Sequence, residues 1–156
     1  MRAGHGYDES GERARMGVKT FAEEEAAPAS KGRLHLLLVD DDAAIGRVVS
    51  RILRDTFDVT VFTNAREAVD AIAGGARYAA ILCDLMMPAM TGMDLYEIVA
   101  GLDRPSVDRI VFLTGGAFTR RAEDFLRSVK NPRLEKPFDR AALMKALAQV
   151  LEVTPP

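Results

Sequence analysis

Five apolar residues in a row, Ala79-Ala80-Ile81-Leu82-Cys83, run directly into a carboxylate, Asp84, and then into Leu85-Met86-Met87-Pro88. A short apolar run bounded by a turn signal reads as a strand buried on both faces. A carboxylate at the end of such a strand has little water of its own. Burial raises its pKa and costs several kcal/mol unless a cation compensates. Asp84 therefore calls for a metal ion, a lysine or both.

The same pattern recurs along the chain. Residues 34–39 are apolar at nearly every position and end in Asp40-Asp41-Asp42. Ile45, Val48, Val49, Ile52 and Leu53 then fall on one helical face. Val59 and Val61 alternate with Thr60 in a short strand. Asn64, with Glu67 three residues on, caps a helix whose stripe is Ala65, Ala68, Val69 and Ile72 and which stops at Gly74-Gly75. Past Asp84, Thr91 and Asp94 open a third helix carrying Leu95, Ile98, Val99 and Leu102, with Pro105 beyond its end. Residues 110–113 form a fourth strand closing in Thr114-Gly115-Gly116. Phe118, Ala122, Phe125, Leu126 and Val129 make a fourth helix face. Leu134-Glu135-Lys136 is a short fifth strand broken by Pro137, and Asp139 caps a last helix with Leu143, Leu147, Val150 and Leu151.

Strand and helix alternate five times, which predicts an α/β fold with a parallel sheet, helices on both faces and right-handed crossovers. Ligands of such open sheets bind at the carboxyl ends of the strands. Asp40, Asp41, Asp84, Thr114 and Lys136 all lie at such ends, so they are expected to converge on one rim. Three carboxylates together repel one another, and a hard divalent cation removes the conflict; magnesium suits oxygen ligands. Asp41 and Asp84 are the best direct ligands, with Asp40 beside them through water and the backbone carbonyl of Met86 as a further oxygen. A carboxylate is also a nucleophile. If Asp84 attacks a phosphoryl group, catalysis is mainly positioning and charge neutralisation. Magnesium then takes one phosphoryl oxygen, Lys136 a second and the Thr114 hydroxyl a third, while Gly115 leaves room.

The order Leu38-Val39-Asp40-Asp41, then Asp84 with Met87-Pro88 and Gly92, then Thr114, then Lys136-Pro137-Phe138, resembles the receiver domain of two-component response regulators. The resemblance covers roughly residues 33–152, and five separated motifs carry it. It implies a flavodoxin-like (βα)5 domain with strand order 2-1-3-4-5. It also implies phosphorylation of Asp84 by a histidine kinase or a histidine phosphotransfer domain, with magnesium as cofactor and hydrolysis of the acyl phosphate limiting the signal. Receivers commonly have a cis bond between the residues matching Lys136 and Pro137, and the resemblance implies one here. The chain departs from the family at one place. Receivers usually carry an aromatic three residues before the lysine, where it swings inward on phosphorylation; here that residue is Arg133. The small-Gly-Ala stretch usual before the fifth strand is replaced by Val129-Lys130-Asn131-Pro132. The resemblance therefore extends to the phosphorylation chemistry but not to the usual output switch.

Composition sets the frame. Apolar content of 48% supports one sizeable core, and a net charge of −2 argues against general nucleic-acid binding. One cysteine rules out an internal disulfide or a Cys-based zinc site. No apolar run has membrane length and no secretory signal is visible, so a soluble cytoplasmic protein is expected. Residues 1–32 hold few large apolar side chains beside Val18 and Phe21, and read as a disordered arm or linker, or as the cut end of an upstream domain. The receiver spans 33–152 and a short tail 153–156. That leaves a stand-alone receiver, with no output domain attached, or the C-terminal receiver of a hybrid kinase. A monomer is the expected oligomeric state.

Plainer readings stand beside these. Asp42 is explained as a helix cap, Cys83 as a small core residue, and Met86, Met87, Met90 and Met93 as loop and core filler. Arg120-Arg121 reads as a solvated helix face. His5 and His35 lack the exposed helical setting of a phosphodonor histidine. The rival from another class is an aspartate-nucleophile phosphatase of the haloacid-dehalogenase type, which also uses a strand-end Asp, Thr, Lys and magnesium. Asp40-Asp41-Asp42 contains an Asp-x-Asp, but Ala44 stands where that family wants Thr or Val. A phosphorylation-independent interaction module is the third reading.

Overall fold

The structure is a computed structural model, and it describes residues 32–151. The expectations for the arm before residue 32 and the tail after 152 lie outside these residues. Five strands alternate with helices: β1 (Leu34–Val39), α1 (Ala43–Leu53), β2 (Phe57–Phe62), α2 (Ala65–Ala73), β3 (Ala80–Asp84), α3 (Gly92–Leu102), α4 (Arg104–Val107), β4 (Ile110–Thr114), α5 (Arg120–Ser128), β5 (Arg133–Glu135) and α6 (Arg140–Leu151). All pairings are parallel and the sheet order is β2-β1-β3-β4-β5, as the resemblance implied.

The apolar runs split by alternation, because successive side chains of a strand point to opposite faces. Leu37, Val39, Ile81, Cys83, Ile110 and Phe112 face a core closed by α2, α3, α4 and α5. Leu36, Leu38, Ala80, Leu82, Val111, Leu113 and Leu134 face a second core closed by α1 and α6. Burial on both faces is why these strands read as unbroken apolar runs. Cys83 lies fully inside the first core, in agreement with its reading as a core residue.

Helix starts follow the expected caps. The Asp42 carboxylate accepts from Ala44 N, Asn64 from Glu67 N and Asp139 from Ala142 N. Thr91 and Asp94 form a reciprocal capping box. Gly74 ends α2, and Gly75 follows at φ +102°, a conformation that glycine adopts without penalty.

Several details differ from the sequence reading. Val48 is half-exposed, because the buried stripe of α1 runs through Gly46, Val49 and Leu53 and leaves Val48 at its border. Ile98 and Leu102 are likewise exposed, with α3 buried through Met93, Leu95 and Val99. Phe118 lies before α5 rather than on it. Pro105 does not simply follow a helix end: it opens the extra turn α4, where the Ser106 hydroxyl donates to the Asp103 carboxylate. Among the described residues no helix is long and apolar enough to cross a membrane.

Candidate functional site

The parallel register brings the strand ends to one rim. Asp40 follows Val39 on the β1 strand, and its N–H donates to Phe62 O of β2 at 3.1 Å. Asp84 is the last residue of β3, opposite Leu113 of β4. Thr114 ends β4 opposite Glu135, and its carbonyl accepts from Lys136 N at 2.7 Å. The Lys136–Pro137 bond is cis. Asp40, Asp84, Thr114 and Lys136 therefore stand at the carboxyl ends of neighbouring strands.

The side chains divide into a buried and an exposed part. Asp40, Asp84 and Thr114 are buried, while Asp41 is exposed. The Lys136 ammonium bridges two carboxylates, at 2.6 Å from Asp40 Oδ2 and 3.4 Å from Asp84 Oδ2. The sequence reading gave this lysine to an oxygen of the incoming phosphoryl group; in the structure its shorter contact is with Asp40. The other Asp40 oxygen accepts from Asp42 N at 2.9 Å. Both Asp40 oxygens thus already have protein partners. Asp84 Oδ1 accepts weakly from Met86 N at 3.3 Å. Met86 itself is exposed, as the loop position assigned to it requires.

Burial pushes the Asp84 pKa up, and the negative charge of Asp40 adds to the effect. Lys136 and the Met86 N–H oppose this without reversing it. Burial works against the charge of Lys136 too, but its bond to Asp40 and the charge of Asp84 outweigh burial and raise its pKa. One lysine therefore does not fully relieve the anionic Asp84. An oxygen from each of Asp40, Asp41 and Asp84 lies within 4.8 Å of the others, an all-oxygen donor set of the kind that suits a hard divalent cation.

The loop after Asp84 is held close. Gly92 N donates to Leu85 O at 3.0 Å, and a Cβ on Gly92 would collide with the Asp84 carbonyl oxygen and stand 3.0 Å from Leu85 Cα. Only glycine lets α3 start against the backbone of the site. Within the loop, Ala89 has φ +65° and Met90 N donates to Pro88 O at 2.8 Å, a strained γ-turn. On the far side of the rim, Thr114, Phe118, Arg133 and Glu135 line a cleft of about 340 Å³. Arg133 is exposed at its mouth, as a charged side chain in the aromatic's place should be.

Sequence reasoning missed one link beside the site. Arg121, read as part of a solvated face, donates to Asp94 Oδ1 at 2.8 Å. It thereby ties the start of α5 to the capping box of α3. Asp94 sits in a capping box that is visible in sequence, but nothing in the chain marks Arg121 as its partner.

Residues 36–148 match the model of the response regulator receiver domain. The chain belongs to this family. Among curated relatives, transcription factor SKN7 of Saccharomyces cerevisiae is 30% identical over 119 residues, which is 76% of this chain and 19% of that protein. Transcriptional regulatory protein SrrA of Staphylococcus aureus is 34% identical over 105 residues, 66% of this chain and 42% of its own. The chain thus spans well under two thirds of either relative. Among solved structures, the receiver domain of sensor histidine kinase PA1611 from Pseudomonas aeruginosa, with magnesium in its active-site cleft, is 29% identical at a TM-score of 0.66, covering 77% of this chain and 98% of that one. Chemotaxis protein CheY4 of Vibrio cholerae is 30% identical at a TM-score of 0.64, covering 76% and 99%.

Proposed function

We propose that this receiver, spanning residues 33–152, accepts a phosphoryl group on Asp84 from a phosphohistidine donor, a sensor kinase or a phosphotransfer domain. The observation that carries the reading is the meeting of a buried strand-end carboxylate with Lys136 Nζ 3.4 Å away and two further acids beside it. An oxygen of Asp84 attacks phosphorus; a P–O bond forms as the P–N bond to the donor imidazole breaks, its electron pair leaving with nitrogen. Lys136 neutralises charge on the phosphoryl group, and the Thr114 hydroxyl donates to one of its oxygens. Asp41 and Asp84, with Asp40 through water and the Met86 carbonyl, would hold magnesium, which supplies charge neutralisation at the phosphoryl oxygens. Water later attacks phosphorus, releasing inorganic phosphate and regenerating the carboxylate. The domain turns over no other substrate in this reading.

Incubation with acetyl phosphate and magnesium, followed by mass spectrometry, tests it. One phosphoryl group per chain on Asp84 is expected, and none in Asp84→Ala. Undiminished labelling of that variant would refute the assignment, and steady turnover of a generic phosphomonoester would point to a phosphatase.

A further inference from the structure

A second concave surface lies outside the rim site, along the seam between α1 and the edge strand β2. It is a groove of about 490 Å³ lined by Ala43, Gly46, Arg47, Ser50, Arg51, Val61 and Thr63. Its floor is apolar because α1 comes very close to β2 there: a Cβ on Gly46 would stand 2.9 Å from Val61 Cγ1. Arg47 and Arg51 are one helical turn apart on the exposed face of α1, and neither has an acidic partner among the described residues. An apolar trough flanked by two guanidiniums without counter-charges fits a segment that brings a large apolar side chain and several carboxylates.

The chain itself carries such a segment. Phe21 is followed by Ala22 and then by Glu23-Glu24-Glu25. The point where the described chain begins is also at the foot of the same seam. The Arg33 guanidinium donates to the Arg54 carbonyl just past α1, and it pairs with Asp58 of β2 at 3.5 Å. Seven residues, 26–32, separate Glu25 from Arg33. Fully extended they reach about 24 Å, and as a flexible coil about 15 Å. From Arg54 back to Arg47 is only about 10 Å of helix. We propose that residues 21–25 dock in the α1–β2 groove, with Phe21 on the floor made by Gly46 and Val61 and the three glutamates on Arg47 and Arg51.

Exposed ion pairs are individually weak and screened by salt. The short tether makes up for this, because it holds the acidic segment at an effective concentration on the order of millimolar. The upper end of the groove, at Ala43 and Thr63, adjoins the Asp40-Asp41-Asp42 turn. The docked arm therefore lies along one flank of the phosphoacceptor rim without entering it. This proposal goes beyond the phosphoacceptor reading and does not depend on it.

The test uses the full, isotope-labelled chain carrying Ala22→Cys with a nitroxide on the new thiol. Cys83 is wholly buried and does not compete for the label. At low ionic strength the amide signals of Arg47, Arg51, Val61 and Thr63 should lose most of their intensity, while those of α2 and α3 keep theirs. Salt should restore them, since the screening length falls from about 10 Å at 0.1 M to about 3 Å at 1 M. Arg47→Glu with Arg51→Glu should abolish the loss, and adding Glu23→Lys, Glu24→Lys and Glu25→Lys should bring it back. Unchanged strand signals report that each variant is folded. A groove that stays sharp at low salt overturns the proposal and leaves the surface to an acidic partner protein. Broadening that ignores the charge reversals overturns it as well. So does broadening transferred to isotope-labelled, nitroxide-free chains in a mixture, which would mean that a second copy supplies the segment.

Discussion

The Nζ of Lys136 stands 2.6 Å from Oδ2 of Asp40, a carboxylate with no solvent exposure. Removing one partner of a buried ion pair leaves an uncompensated charge and costs about 3–5 kcal/mol. Lys136 is partly exposed, so Lys136→Ala should fall at the lower end, about 3 kcal/mol in urea unfolding without metal. Magnesium should restore part of the loss, because a cation bound among Asp40, Asp41 and Asp84 replaces the missing charge and stabilises only the folded state. A deficit that magnesium leaves untouched would argue against a cation site there.

Asp84 should make the metal-free domain pH-dependent. Burial, then the charge of Asp40, raises its pKa above the ordinary carboxylate value. A carboxyl with a raised folded pKa binds its proton more tightly in the native state than in the unfolded chain. The native state is therefore favoured at low pH and loses that advantage as pH rises through the folded pKa. Above that point ionised Asp84 is a net cost. Asp84→Asn should accordingly raise the melting temperature at pH 7 without metal, and the gain should shrink as pH falls through the carboxylate range. A gain constant with pH would show that charge is not its cause.

Magnesium affinity should separate the three neighbouring acids. Asp41 is exposed and has no hydrogen-bond partner among the described residues, so its carboxylate is available to an ion. Asp42 is occupied capping α1. Asp41→Asn should weaken magnesium binding by about tenfold or more, since even groups behind the direct ligands carry that much. Asp42→Asn, which keeps the cap, should leave affinity unchanged. Equal effects of the two substitutions in a metal titration would remove Asp41 from the ligand set.

Much of this architecture is legible in the sequence. The alternating strands and helices, the caps at Asn64, Thr91 and Asp139, and the strand-end positions of Asp84, Thr114 and Lys136 are local patterns that survive into the fold. What was not legible depends on which surfaces meet. Val48 and Ile98 satisfy helical spacing, yet each helix covers the sheet with a stripe narrower than its apolar face. Pro105 signals a stop as readily as the start of a new turn. The first partner of Lys136 could not be chosen between two acids that are both at strand ends. The φ of +65° at Ala89 has no sequence signal, because alanine does not favour it.

The Asp94–Arg121 pair should contribute modestly and only above strongly acid pH. The Arg121 hydrogen bond, helped by Thr91, holds the Asp94 pKa down to about 2. A depressed carboxylate pKa adds stability above the unfolded value of about 3.9, and that stability is lost as pH falls toward 2. The pair is exposed, so Arg121→Ala should lower stability only slightly near neutral pH. The difference from wild type should shrink as pH falls through about 2 and vanish only below it. A pH-independent loss would mean that Arg121 acts through packing of its stem instead.

The α5 and β5 face should respond little to phosphorylation. Arg133 stands at the mouth of the cleft beside Thr114, and an always-charged guanidinium does not enter an apolar space without a partner. The ion pair between Arg121 and Asp94 further holds the first turn of α5 against α3. If the Thr114 hydroxyl turns toward a phosphoryl group at Asp84, no ring at position 133 can follow it inward. With beryllofluoride and magnesium as the phosphoryl mimic, amide shifts should therefore be large near Asp84 and Thr114 and small from residue 119 to 134. The sedimentation coefficient should not change. Large shifts across α5 and β5, or dimerisation on activation, would show that another group does the work of the missing aromatic. Phe118, which is on the cleft wall and exposed, would then be the first residue to replace by alanine.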